Sequence, residues 1–125
     1  MTDAELLFFN SFPELLPLYE GLVSRLQAAY PDFMIKVAKT QISFYNRHLF
    51  AMASLPRRWK KDGSGEYLIV SFGLGRPEPS PRIAARAEAY PGRWTHHVPV
   101  TDPGQMDEEL FAWIDEAYQF ALAKR

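Results

Sequence analysis

His96 and His97 adjoin each other in a stretch that ends Val98-Pro99-Val100, and histidine is the side chain whose charge changes near neutral pH. Neighbours on an extended strand point to opposite faces, so the two rings cannot easily close on one metal ion. His96 is in phase with Val98 and Val100 and is assigned to a core face, as a hydrogen-bonded core histidine. His97 takes the other face, where it could act as a general acid or base or donate a hydrogen bond to an anion. Lys39-Thr40 opens a predicted second strand, and Lys39 there could hold a phosphate or carboxylate as a point charge. His48 adjoins a predicted turn at Asn46-Arg47 and reads as a surface residue.

A second group of cations lies in Pro56-Arg57-Arg58-Trp59-Lys60-Lys61, where Arg57, Arg58, Lys60 and Lys61 flank the indole of Trp59. Cations interleaved with an aromatic ring contact phosphates and stack on bases, although a solvated hairpin tip guarded against edge pairing has the same composition. Arg76, Arg82, Arg86 and Arg93 could form another anion-attracting rim, or pair with Glu78 and Glu88 among them. Gly73-Leu74-Gly75 follows a strand, but Arg76-Pro77 prevents the helix that a nucleotide fingerprint requires. Ser64 sits between glycines in a turn, not in a nucleophile elbow. The acidic run Asp107-Glu108-Glu109 is accounted for by a helix dipole. No metal site and no cofactor is expected.

The chain that must position these residues has 125 of them, 47 % hydrophobic and 23 % charged, the composition of one globular domain spanning residues 1–125. It has no cysteine, which removes thiolate chemistry and fits a cytoplasmic location, and its Met1-Thr2-Asp3-Ala4-Glu5 start is acidic where a leader would be basic. No apolar run is long enough to span a bilayer, so no membrane role is expected. The net charge of −1 divides unevenly: −4 over residues 1–35, +7 over 36–93 and −4 over 94–125. A basic centre between acidic ends marks either an anionic partner or internal complementarity, and the second is the commoner case.

The periodicity predicts an α+β fold. Thr2 and Glu5 stand in capping-box spacing for a helix over 3–9, and Ser11-Phe12-Pro13-Glu14 is a second capping box opening a longer helix. Leu15, Leu18, Tyr19, Leu22 and Leu26 form its apolar stripe, and Pro31 ends it. Five mainly antiparallel strands are expected near 33–38, 41–46, 49–55, 66–74 and 94–100, with a hairpin turn at Asp62-Gly63-Ser64-Gly65. Residues 76–93 carry four prolines and read as a loop holding at most one helical turn. A C-terminal helix follows Asp102-Pro103, with Met106, Leu110, Trp113, Ala117 and Phe120 on its buried side.

Strand alternation then divides the sheet. Ile42, Phe44, Phe50, Met52, Leu68, Val70, Phe72, Val98 and Val100 are expected to meet the helices. The opposite face receives Lys39, Gln41, Ser43, Tyr45, Ala51, Ala53, Tyr67, Ile69, Ser71 and His97. So many small, aromatic and polar side chains suit a face that touches something, either a ligand or the chain's own 76–93 loop.

The helix opening at Ser11-Phe12-Pro13, the stretch Val37-Ala38-Lys39-Thr40-Gln41-Ile42-Ser43-Phe44, Phe50-Ala51, His96-His97-Val98 and Asp107-Glu108-Glu109-Leu110 with Ala117-Tyr118 together resemble the bacterial domain of unknown function 5655. The resemblance spans nearly the whole chain. It implies an accessory or binding role, carries no activity with it, and maps recurrent positions onto Lys39, Thr40, Gln41, Phe44, His96 and His97.

The expected function is therefore a non-catalytic binding module whose open sheet face, at Lys39, Gln41, Tyr45, Tyr67 and His97, takes a small anionic ligand or a protein segment. The alternatives are a nucleic-acid-binding accessory domain acting through Arg57, Arg58, Trp59, Lys60 and Lys61, which the acidic overall pI disfavours, and an enzyme with His97 as base.

Overall fold

The structure is a computed structural model that describes residues 1–55 and 67–124. The basic 56–61 stretch and the turn expected at 62–65 lie outside the described residues.

Thr2 caps helix α1 (Asp3–Phe8) as its spacing requires: its hydroxyl accepts from the Glu5 N–H, and the Glu5 carboxylate accepts from the Thr2 N–H. The second capping box does not form. Ser11 stays exposed, while the Phe12 ring enters the core and fixes the backbone one residue later, as the cap of a 3-10 turn at Pro13–Leu15. Helix α2 (Leu16–Ala29) continues from that turn and buries Leu18, Tyr19, Leu22, Val23 and Leu26. Helix α3 (Glu108–Ala123) begins later than expected: the segment after Asp102 forms a 3-10 turn at Pro103–Gln105 that leaves Met106 outside the helix, and the Asp107 carboxylate caps α3 by accepting the Leu110 N–H.

Between the helices lies one antiparallel sheet built from β1 (Met34–Val37), β2 (Gln41–Tyr45), β3 (Leu49–Ser54), β4 (Leu68–Leu74), β5 (Ala85–Tyr90) and β6 (Arg93–Val100). Their order is β1-β2-β3-β4-β6-β5. The five-strand expectation is one strand short, because β5 falls in the segment read as a loop. Ala-Arg-Ala-Glu-Ala-Tyr has low strand propensity and every side chain is exposed, so neither hydrophobic alternation nor residue type marks it. It is a strand because Gly92, at φ +84°, turns the chain back and β6 supplies the ladder.

Two further expectations change. Lys39-Thr40 is not the start of β2 but the turn between β1 and β2, closed by the Ala38 N–H on the Gln41 carbonyl at 2.8 Å. In β3 the pairing shifts by one residue, so that Tyr45 opposes Leu49 while Phe44 opposes Ala51. This bulge leaves Phe50 in the core but reverses the remainder of β3: Ala51 and Ala53 pack on the helix side, and Met52 and Ser54 face the other way.

The helix side of the sheet is the core. Phe44 stacks on Tyr19 of α2, Phe50 meets Tyr30 and Tyr118 edge-on, and Phe72 stacks on Trp113 of α3. Residues 78–83 close this same side, whereas Ala84, just before β5, reaches the opposite face. The Glu78 N–H donates to His96 Nε2 at 2.9 Å, Trp113 Nε1 donates to the Glu78 carboxylate at 3.1 Å, and Ile83 is buried.

Candidate functional site

The face turned away from α2 and α3 is built in rows, because residues paired across an antiparallel sheet lie side by side on one face. Gln41, Ser54, Ile69 and Pro99 form one row. Ser43, Met52, Ser71, His97 and Ala85 form the next. Over the first row lies a depression of about 850 Å³. Its apolar wall is Phe8, Leu55, Ile69, Ala84, Ala85 and Pro99. Its polar wall is Lys39, Thr40, Gln41, Ser54, Tyr67 and His97. Among the described residues no carboxylate lines it.

Four of the five residues expected to take a ligand on this face thus line one depression. Lys39 arrives on the exposed β1–β2 turn, Gln41 at the start of β2, Tyr67 just before β4, and His97 from β6. Tyr45 shares the face but not the depression: it pairs with Met34 and Leu49 at the other end of β2, roughly 13 Å along the strand from Gln41. Thr40, a position that the resemblance marked, lines the site as well. Ser54 lines it without having been singled out, because the β3 bulge hid its phase.

His97 is held in place. Its Nδ1 lies 2.6 Å from the hydroxyl of Ser71, the residue beside it in the same row, and that bond leaves Nε2 as the nitrogen available to a ligand. Burial pushes the imidazole below the usual histidine range, so the ring is neutral at pH 7. Ser71 itself is buried and does not line the depression, so it orients the ring and does not reach into the site. Gln41 is oriented in the same way, its side-chain N–H donating to the Ser43 hydroxyl at 3.1 Å.

His96 has a different part. It is fully buried, stacked on Phe72, and accepts the Glu78 N–H at Nε2, which puts its proton on Nδ1. Burial again lowers its pKa, with the Phe72 and Trp94 carbonyls opposing the shift and Arg86 and Arg76 adding to it. It is a core residue, as the strand phase required. His48 is more buried than a surface residue, since its Nε2 is shielded from solvent.

The arginines do not form one rim. Arg76 pairs with Glu116 at 2.8 Å and with Glu78, and Arg82 grips Asp107 at 2.8 Å and Glu109 at 3.0 Å, so both join the basic middle of the chain to acidic α3. Arg93 lies on the open face, half-buried, with its guanidinium across Gly73 and no ion pair among the described residues. Among the described residues no group of His, Asp and Glu side chains could hold a metal, and no helix is long and apolar enough to cross a membrane.

The family model described as a domain of unknown function, DUF5655, matches residues 8–121. No curated protein and no solved structure matches. The matched segment contains every described residue that lines the depression.

Proposed function

We propose that this chain, which belongs to the DUF5655 family, is a single-domain cytoplasmic binding module whose open sheet face takes a small organic anion. The observation that carries the reading is the composition of the depression among the described residues: six polar side chains, one of them a lysine, six apolar ones and no carboxylate. A site of this kind favours negative charge at Lys39, with the neutral His97 ring offering a hydrogen bond beside it, and presents an apolar surface to the rest of the ligand. Gln41, Ser54, Thr40 and Tyr67 supply neutral donors around the charge. The absence of cysteine fits a reducing compartment.

The test is a thermal-shift and calorimetric screen of the full chain with monocarboxylates and phosphate monoesters bearing aliphatic or aromatic bodies, against inorganic phosphate and uncharged amides. Binding of anions with apolar bodies, weakened about tenfold or more in Lys39→Ala and in His97→Ala, supports the reading. Binding that is unaffected by both substitutions, or no binding by any anion, ends it.

A further inference from the structure

Strand β5 forms one edge of the sheet, and its outer side has no neighbour among the described residues. All six of its side chains are exposed. Edge strands are normally guarded by charged side chains, proline, bulges or brevity. This one alternates alanine with one arginine and one glutamate, charges of opposite sign, and is regular up to its bulge at Ala89.

The direction of its backbone groups comes from one bond. The His97 carbonyl accepts the Ala84 N–H at 2.9 Å, so the peptide groups of His97 face β5. His97 pairs with Ala85, and peptide groups alternate sides along an antiparallel ladder, so those of Ala85 and Ala87 face β6. Those of Arg86 and Glu88 face outward, unpaired by the sheet.

We infer that β5 is a homodimerisation edge, pairing antiparallel with β5 of a second copy about a two-fold axis at Ala87. In that register Arg86 lies opposite the partner's Glu88 and Glu88 opposite the partner's Arg86. Each pair joins two outward-facing backbone groups, so the ladder continues across the axis. Arg86 and Glu88 share a face, so each cation meets an anion on the same side of the joined sheet. Alanine at 85 and 87 puts little bulk on the other side, and only small side chains meet at the axis.

The register is selected by charge. Moving the axis to residue 86 places arginine opposite arginine, and moving it to 88 places glutamate opposite glutamate. A shift by one residue turns inward-facing peptide groups toward the partner. The bulge at Ala89 ends regular pairing and prevents further sliding. Neither side chain is committed elsewhere: Arg86 reaches only the Ser80 carbonyl at 3.3 Å, Glu88 only the Gly92 N–H at 3.3 Å, and neither has an ion pair among the described residues. The partner is thus a second copy, and charge complementarity distinguishes it from an arbitrary strand.

Sedimentation velocity from ~1 μM to ~1 mM protein tests this at low salt. The expected result is a monomer–dimer equilibrium for the native chain. Arg86→Glu and Glu88→Arg should each be monomeric alone, since each puts like charges opposite, and should form a heterodimer when mixed. The doubly exchanged chain should dimerise by itself. Unchanged melting temperatures in the single variants will separate loss of pairing from loss of folding. A native chain that stays monomeric throughout overturns the inference, and so does a single variant that still dimerises.

Discussion

The Ser71 hydroxyl lies 2.6 Å from Nδ1 of His97, one strand away in the same row of the open face. That bond fixes the ring plane and directs Nε2 to the depression. Ser71→Ala should therefore weaken anion binding about threefold to tenfold while costing only about 1 kcal/mol of stability. Ser71→Thr keeps a hydroxyl and should restore most of the affinity. Calorimetry with the best anion from the screen, beside urea unfolding, separates the two effects.

Both central histidines titrate low because burial disfavours their charged forms, His96 with further contributions from its neighbours and His97 by burial alone. The unfolded chain binds protons at an ordinary histidine value, near 6.5, before the folded chain does. Stability contributed by these neutral rings is present above that value and is lost as the pH falls through it toward the folded values. Urea midpoints should thus decline from pH 7 to pH 5.5, and His97→Gln should make that decline shallower. Ligand affinity should run the other way, because a bound anion favours protonated His97. A flat stability profile over this range would contradict the account.

Much of this was legible in the sequence, because period and capping are local. The Thr2–Glu5 box, the α2 stripe and the opposite phases of His96 and His97 all follow from spacing alone. The lining of the depression was legible only in part: strand alternation puts Gln41 and His97 on one face, whereas Lys39 lies on the β1–β2 turn and Tyr67 just before β4, so their places beside it come from strand pairing and not from period. The features that escaped were non-local. The β3 bulge depends on pairing with β2 and reversed Ala51, Met52 and Ala53. Strand β5 is polar and alanine-rich, and only its ladder with β6 makes it a strand. Ser11 lost its cap to the core position of Phe12, since burying an aromatic ring outweighs one hydroxyl hydrogen bond.

A Cβ at Gly73 would lie 2.7 Å from Nε and Nη2 of Arg93, so the guanidinium packs directly on the glycine. Gly73→Ala should push the arginine off the sheet at a cost of about 1 kcal/mol, the low end of overpacking, because a flexible side chain can yield. The cost should shrink when Arg93→Ala is combined with it. Urea unfolding of the two single variants and the double variant gives the coupling, and strictly additive losses would exclude the contact.

Arg82 holds three acceptors at the start of α3 through one guanidinium: it donates to Asp107 at 2.8 Å, to Glu109 at 3.0 Å and to the Gln105 carbonyl at 2.8 Å. Hydrogen bonding to Arg82 outweighs desolvation and holds the Asp107 carboxyl below its ordinary range. Asp107 also caps α3, so Asp107→Ala removes a cap and an ion pair together and should cost about 1–2 kcal/mol. Asp107→Ser keeps a capping hydroxyl and should recover most of that loss, because the ion pair itself is partly exposed and contributes less than about 1 kcal/mol. The Asp107 contribution is present above the ordinary aspartate value and disappears as the pH falls through its lowered folded value. The difference between native and Asp107→Ser chains should therefore vanish in strong acid, and should shrink in high salt at pH 7. A serine variant as unstable as the alanine one would mean that the ion pair, not the cap, holds the start of α3.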